Sequence, residues 1–241
     1  MLSQAVFEIL EEIRNGRISN SLELNDFRLK VARKFSLKKM PSNAELISFA
    51  DEKDRVAFKD ILNVKPTRSM SGVTVVAVMT KPADCIGKCI FCPSSLVPGK
   101  KTPKSYTGRE PSTMRSMMFN FNPYKVVQNR LEQYVFTNNY SPKIELILQG
   151  GTFPEMPFSH QKYFVKRCYD GVLSQNTRSL TSAKKLLETS KNRVVGLTIE
   201  TRPDWCGEKE INRMLFLGAT RVETGVQIPD DEVYKKNVRG H

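Results

Sequence analysis

The sequence predicts an α/β fold in which a parallel sheet follows a small helical N-terminal region. After Gly72, short apolar runs rich in β-branched residues alternate with segments of helical spacing, in the order strand, helix, strand, helix. Right-handed crossovers place such strands side by side in one parallel sheet. Before Gly72 the chain carries polar, amphipathic segments of helical spacing. These patterns divide the chain into a helical region, residues 1–64, and an α/β region, residues 65–241.

The N-terminal region is predicted to form three helices. Val6, Leu10 and Ile13 lie at helical spacing in a segment with early acidic residues and late arginines, as the helix dipole favours. The sequence PSN from Pro41 gives a start signal for the last of the helices. The predicted ranges are 4–17, about 24–36 and about 43–62.

Four strands are predicted in the α/β region. The first, VTVVAVM, is almost continuously apolar, as expected of a strand covered on both faces. A loop rich in Pro, Gly and Lys follows over about 81–114, and Asn122 and Pro123 then begin a helix that runs to Phe136. The predicted strands are Val73–Met79, Ile144–Gly151, Val194–Thr201 and Thr220–Gln227. The other predicted helices are about 158–171, about 181–190 and Glu208–Gly218.

Composition restricts the partners and the compartment. The 241 residues carry a formal net charge of +13, which favours a polyanion such as RNA, and the basic surplus is concentrated in residues 81–130. No apolar run approaches the ~18 residues of a membrane span, and no signal-peptide pattern opens the chain, so a cytoplasmic protein without membrane contact is expected. Five cysteines, of which Cys168 and Cys206 stand alone, do not resemble a secreted disulfide framework.

Cys85, Cys89 and Cys92 form a Cys-x3-Cys-x2-Cys cluster on the loop after the first predicted strand. Thiolates suit zinc or iron–sulfur clusters. A structural zinc site needs a fourth ligand, and His160 and His241 lie at no zinc-finger spacing, so zinc is the weaker interpretation. A cubane held by three thiolates would leave one iron without a protein ligand, and an open metal position is where chemistry occurs.

The cysteine spacing, its place after the first strand of a parallel sheet and the aromatic Phe91 resemble the radical S-adenosylmethionine signature. This resemblance implies a 4Fe-4S cluster whose open iron chelates the methionine part of S-adenosylmethionine. One electron then cleaves the sulfonium and yields a 5′-deoxyadenosyl radical, which abstracts hydrogen from a substrate. The implied fold is a partial radical S-adenosylmethionine (βα) barrel, with about four of its six βα units in this sequence.

Polar residues at the predicted strand ends would form the rim of this barrel. Glycines there let backbone carbonyls approach an ammonium group closely. Glu200 and Arg202 carry charges that suit ribose hydroxyls and a carboxylate, with a rim salt bridge as the alternative. The predicted cofactor-binding residues are Gly150, Gly151, Thr152, Glu200, Arg202 and Gln227.

Five segments, in order, resemble a more specific family. They are KPTRSMSGVTVVAVMTKP from Lys65, SYTGREPSTMR from Ser105, KIELILQGGTFPEMP from Lys143, GLTIETRPDWC from Gly196, and TRVETGVQ from Thr220 leading to NVRGH. The family is the catalytic subunit of Elongator with its archaeal homologues, the tRNA uridine(34) acetyltransferases. The resemblance runs from about Lys65 to His241.

The resemblance implies modification of C5 of the wobble uridine of tRNA (U34) toward a carboxymethyl group, with acetyl-CoA as the carbon donor. Lys143 matches a lysine that the family assigns to acetyl-CoA binding. The N-terminal helices and the basic loop would bind tRNA, with an affinity that falls steeply with salt. The predicted tRNA contacts are Lys100, Lys101, Lys104, Tyr106, Arg109 and Arg115.

The family's remaining barrel strands and its acetyltransferase domain have no counterpart in these residues. Because a half barrel exposes apolar strand edges, a complementing chain that supplies the missing part is predicted. One alternative is another radical S-adenosylmethionine enzyme that modifies RNA. A second is a non-catalytic RNA-binding module whose cysteines hold zinc, and a third is an inert fragment.

Overall fold

The computed structural model describes residues 2–62, 70–93, 95–137, 139–151 and 153–240. Backbone packing divides the chain into two compact units. The first comprises residues 1–74 and 132–141, and the second comprises residues 75–131 and 142–241. The predicted boundary between residues 64 and 65 lies outside the described residues. Among the described residues, no helix is both long enough and apolar enough to cross a bilayer.

Residues 2–62 form helices connected by short turns. Their bounds are Leu2–Arg14 (α1), Ser21–Lys34 (α2), Asn43–Phe49 (α3), Glu52–Ala57 (α4) and Lys59–Leu62 (α5). The prediction of one helix over about 43–62 is therefore wrong. Ala50 has extended backbone with ψ 138°, and Asp51 caps a new helix by accepting a hydrogen bond from the Asp54 backbone N–H at 2.8 Å. The aspartate side chain favours a new helix start over continuation of the preceding helix.

Apolar side chains from these helices share one core. The largest fully buried members are Ile9, Leu10, Leu24, Leu46, Ile47 and Leu62. Full burial of one such side chain contributes about 1.5–3 kcal/mol relative to exposure. The buried positions on α1 recur at helical spacing, as the sequence predicted.

The second part of the chain alternates strands and helices. The strands are Thr74–Met79 (β1), Lys143–Gln149 (β2), Arg193–Thr201 (β3) and Arg221–Thr224 (β4). The helices are Pro111–Met118 (α6), Pro123–Phe136 (α7), Phe158–Leu173 (α8), Leu180–Thr189 (α9), Glu208–Leu217 (α10) and Asp231–Lys236 (α11). Short 3-10 turns occupy Phe153–Glu155 and Pro203–Trp205.

The strands lie in the order β1-β2-β3-β4, and the pairs β2–β3 and β3–β4 are parallel. The register sets Leu146 beside Leu197, both fully buried, and Glu200 beside Glu223. The predicted α/β class with parallel strands is confirmed. Because these strands run in one direction, the residues that follow them share one edge of the sheet.

Several predicted boundaries in this part of the chain are wrong. The loop predicted over about 81–114 contains the start of α6, at Pro111, a residue whose missing N–H is tolerated in the first helical turn. The last strand ends at Thr224 and does not run on to Gln227, whose φ of 71° is a left-handed conformation that a strand does not adopt. Helix α11 was not predicted, although Asp230 caps it through hydrogen bonds from the backbone N–H groups of Glu232 and Val233.

Candidate functional site

A cavity of about 620 Å³ opens where the strand ends meet. Its walls come from the loop after β1, from the turn around Tyr106 and from the residues at the ends of β2, β3 and β4. The predicted site residues that line it are Cys85, Cys89, Cys92, Lys104, Tyr106, Gly151, Glu200, Arg202 and Gln227. The fold thus brings residues from distant segments to one cavity, as the strand-end argument expected.

The three cysteines of the loop are half-buried free thiols. The backbone N–H of Cys92 donates to the Cys89 carbonyl at 3.1 Å, and the N–H of Gly87 donates to Cys85 Sγ at 3.3 Å. Among the described residues, no three His, Cys, Asp or Glu side chains converge on a single metal ion. Thiolates are soft donors, and three of them on one loop are a donor set of the kind that zinc sites and iron–sulfur clusters use.

Arg202 connects the end of β3 to the cysteine loop. Its Nη1 lies 3.7 Å from Cys85 Sγ, while Nε and Nη2 donate to the two carboxylate oxygens of Asp204 at 2.9 and 2.7 Å. The hydrogen bonds that Arg202 donates to Asp204 raise the pKa of Arg202. A side chain at Gly87 would overlap the Arg202 guanidinium, so glycine is the residue that permits this close approach.

Glu200 is held by two donors from other segments. The Tyr106 hydroxyl donates to its Oε2 at 2.6 Å, and Gln149 Nε2 donates to its Oε1 at 2.8 Å. Burial raises the pKa of Glu200, and these two hydrogen bonds oppose the rise. Burial and the bond to Glu200 also raise the pKa of Tyr106, so its hydroxyl remains a donor at neutral pH. Each carboxylate oxygen keeps a lone pair with which it can accept from a ligand hydroxyl.

Two glycines end β2 and turn the chain along the cavity. Gly150 has φ 135° and Gly151 φ 84°, conformations that favour glycine, which is why the strand stops at Gln149 and not at Gly151 as predicted. A side chain at Gly150 would also overlap the Thr80 hydroxyl. Gly151 lines the cavity, whereas Thr152 lies outside the described residues.

The remaining predicted residues lie elsewhere. Lys100 and Lys101, together with Lys104, line a second cavity of about 540 Å³ that also contacts Cys92. Lys143 is the first residue of β2, at the opposite end of that strand from the cavity, about 20 Å away along the strand. The structure does not bring it to the thiols. Arg109 is exposed and Arg115 is on α6, and neither lines these two cavities.

Arg239, which is not among the predicted site residues, lines the cavity beside Cys89. Its Nη1 lies 3.9 Å from Cys89 Sγ, and its guanidinium lies over the Phe91 ring at 5.6 Å. A signal was available, because Arg239 belongs to the NVRGH segment that carries the family resemblance. The contact joins residues 150 positions apart, a distance over which spacing predicts nothing.

Comparison with known proteins finds several that are similar to this chain. Residues 2–70 match a family model described as the ELP3 N-terminal domain. A tRNA uridine(34) acetyltransferase of Methanocaldococcus infernus is 48% identical over 97% of this chain, and the human Elongator complex protein 3 is 32% identical over 100% of it. A solved structure of the archaeal Methanocaldococcus infernus Elp3 with an N-terminal deletion covers 70% of this chain at 43% identity, with a TM-score of 0.55.

The chain is much shorter than these relatives. It spans 44% of the Methanocaldococcus infernus enzyme and 45% of the human protein, and the structural match covers 32% of the solved chain. The similarity extends over nearly all of the present sequence and includes the segments that form the cavity. The chain is therefore similar, over nearly its whole length, to part of the archaeal tRNA uridine(34) acetyltransferases and of Elongator complex protein 3, and its residues 2–70 match the ELP3 N-terminal domain.

Proposed function

We propose that this chain is the radical S-adenosylmethionine part of a tRNA uridine(34) acetyltransferase, which modifies C5 of the wobble uridine with acetyl-CoA as the carbon donor. One observation carries the proposal: a single cavity at the strand ends is lined by three free thiols and by the polar residues Glu200 and Arg202. Two relatives that match almost the whole chain are named for this activity. We place the reaction in the cytoplasm, where thiols stay reduced.

In this proposal Cys85, Cys89 and Cys92 hold a 4Fe-4S cluster. When bound, such a cluster would supply one electron to S-adenosylmethionine. The chain's own part is to position the cofactor and to exclude water. The turn at Gly151 gives the methionine moiety close access to backbone, and Glu200, already oriented by Tyr106, accepts from ribose hydroxyls.

The contacts that Arg202 already makes limit how it can bind S-adenosylmethionine. Two of its guanidinium nitrogens are engaged by Asp204, and the third is close to Cys85. Arg202 is also largely buried. We therefore assign it electrostatic attraction of a ligand carboxylate near the cluster rather than a bidentate clamp.

The proposed tRNA surface includes the lysine cavity formed by Lys100, Lys101 and Lys104. These ammonium groups would neutralise phosphates beside the cysteine loop, while the wobble base, splayed out of its stack, enters the larger cavity. Lys143, at the other end of β2, would reach acetyl-CoA only from a site separate from the thiols. Arg109 and Arg115 stay in the proposal as outer tRNA contacts.

We further propose that the residues missing relative to the relatives are supplied by a complementing segment or polypeptide. The chain covers less than half of their length. This part of the proposal concerns the complete reaction. Cluster binding can be tested on the present chain alone.

The test is anaerobic reconstitution of the chain with iron and sulfide. We expect cluster-level iron and sulfide, broad visible absorption and, with a strong reductant, cleavage of S-adenosylmethionine to methionine. Cys85→Ser, Cys89→Ser and Cys92→Ser should each abolish colour, whereas Cys206→Ser, a half-buried thiol outside the cavity, should leave it unchanged. A colourless protein that binds one zinc ion would replace this proposal with a zinc-holding RNA-binding module.

A further inference from the structure

Residues 237–239 contact the cysteine loop through their backbone. The Ile90 N–H donates to the Asn237 carbonyl at 3.1 Å, and the Arg239 carbonyl lies 3.8 Å from Cys89 Sγ. One contact is made by the backbone of Ile90 and the other by the side chain of Cys89, so two successive residues of the loop are held. These contacts fix the middle cysteine of the loop against a segment that is 150 residues away in sequence.

The Arg239 side chain is oriented by contacts on several sides. Its guanidinium lies over the rings of Phe91, at 5.6 Å, and Tyr234, at 5.9 Å, and its Nη2 donates to the Gly225 carbonyl. The residue is only 7% exposed. A planar guanidinium that contacts two aromatic rings and a backbone carbonyl has little freedom, so its Nη1 remains directed toward Cys89.

The charge of Arg239 has no carboxylate partner among the described residues. Its Nε is also buried there without a hydrogen-bond partner. Arg202 differs, since Asp204 neutralises it. A buried charge without a counter-ion is costly, so a position of this kind favours an anionic partner. The thiol of Cys89, which becomes an anion when it binds a metal, lies 3.9 Å from Arg239 Nη1.

We infer that Arg239 is a positioning residue for the metal cluster: it holds the loop at Cys89 and supplies the positive charge that balances the bound cluster on that side. The inference rests on the proposed function, because it requires a cluster at the three cysteines. Hydrogen bonds to cluster sulfurs and nearby positive charge both favour the reduced, more negative form, and so raise the reduction potential.

The test compares Arg239→Gln with Arg239→Lys and with Arg221→Gln in the reconstituted chain. Arg221 is an exposed arginine of β4 that pairs with Glu145, so its replacement removes the same charge away from the cavity. The readouts are iron content, the electron paramagnetic resonance spectrum of the reduced cluster and its reduction potential, measured without S-adenosylmethionine. Circular dichroism reports whether each variant is folded.

We expect Arg239→Gln to lower the ratio of reduced to oxidised cluster about tenfold at a fixed potential, which is about 59 mV for a one-electron couple. Arg239→Lys should recover part of this shift, and Arg221→Gln should match the parent chain. Loss of iron from a folded Arg239→Gln chain, with retention in Arg239→Lys, also supports the inference. If Arg239→Gln does not fold, the reduction potential of the Arg239→Lys cluster is the test. A lysine lacks the guanidinium's stacking and directed donors, so a potential below that of the parent chain supports the inference, and an unchanged potential overturns it.

An unchanged potential and spectrum in a folded, iron-loaded Arg239→Gln chain would overturn the inference and leave the proposed function intact. An equal shift of the reduction potential in Arg221→Gln would also overturn the inference, because the shift would then come from the net charge of the chain and not from a charge beside the cluster. Failure of the parent chain to bind iron would overturn both. A weaker affinity for S-adenosylmethionine with an unchanged potential would mean that Arg239 serves the cofactor carboxylate instead.

Discussion

The helical core of residues 2–62 and the cavity at the strand ends use burial in opposite ways. The helical core buries apolar side chains, and its helix starts satisfy their own polar groups, as in the reciprocal capping of Ser42 and Glu45. The cavity keeps Glu200, Arg202 and Arg239 largely buried. Burial of polar groups with incomplete internal partners costs free energy, so the difference indicates which region is arranged for a ligand and which for stability.

The largest expected effect on stability comes from a substitution in the helical core. Leu46→Ala, at a fully buried position of α3, should lower the free energy of unfolding by about 2–5 kcal/mol, because it removes apolar contacts and leaves a cavity. Leu22→Ala, at a position on α2 that is 78% exposed, should change it by less than about 0.5 kcal/mol. Chemical denaturation measures both.

The Leu46→Ala variant also tests whether metal binding at the cavity is independent of the helical core. Below its melting temperature, the Leu46→Ala chain should take up as much iron as the parent chain, since Leu46 belongs to the helical core and not to the cavity. Loss of iron from a folded Leu46→Ala chain would mean that the site depends on the core, and that the division between stability and ligand binding is not valid.

The turn beside Tyr106 should give an intermediate, pH-dependent effect. Burial raises the pKa of Glu110, but hydrogen bonds from the backbone N–H and the hydroxyl of Thr107, with further ones from its own backbone and from Thr113, override this and lower the pKa to about 2. Its stabilising contribution is therefore present above the usual value of 4.5 and is lost as the pH falls toward 2. Glu110→Gln should cost about 1–3 kcal/mol at neutral pH, and progressively less in acid.

The measurement is denaturant unfolding at several pH values between neutrality and acid. Glu188→Gln, at an exposed carboxylate of α9, is the matched control and should follow the parent chain throughout. A Glu110→Gln difference that stays constant with pH would assign the loss to packing of the turn rather than to the ionised carboxylate.

The smallest expected effect belongs to Glu200, and its sign is opposite. Because burial raises its pKa, the folded chain holds the proton more tightly than the unfolded chain, so stability falls as the pH rises from the usual 4.5 through the folded-state pKa. Glu200→Gln should remove this decline and raise stability at neutral pH by less than about 1 kcal/mol, the size of one neutral hydrogen bond.

Glu200→Gln should weaken cofactor binding although it raises stability. Glu200→Gln keeps an acceptor for the Tyr106 hydroxyl but removes the charge, so S-adenosylmethionine should bind more weakly to the reconstituted chain. Equilibrium dialysis with the labelled cofactor measures this. A stability gain without weaker binding would show that Glu200 has a structural role in the cavity.

Sequence patterns predicted the sheet well because apolar runs and helix starts are local signals. The strand from Arg193 to Thr201 and the stop at Gly218, with φ 100°, follow directly from them. Asp51 shows where local signals compete, since it divides a segment whose periodicity favoured one helix. The loop before α6 shows the same competition, because its proline and glycine content outweighed the helix start at Pro111.

The candidate site was predictable only in part. Residues at strand ends could be assigned to one edge because topology decides that edge. Contacts between loops could not be predicted, because the bond from Tyr106 to Glu200 joins residues 94 positions apart, and only packing determines it. Lys143 shows the reverse case, in which a resemblance named the residue but the direction of β2 sets it at the far end of the strand.

Gly87 determines how freely the cysteine loop can vary. It is neither a ligand nor a turn with positive φ, and its importance comes from the Arg202 guanidinium that occupies the space where a side chain would stand. Asp204 and burial keep that guanidinium from moving aside. Mutational tolerance of the loop is thus dictated by a residue more than a hundred positions downstream, and a library built around the thiols should keep this glycine invariant while its neighbours are randomised.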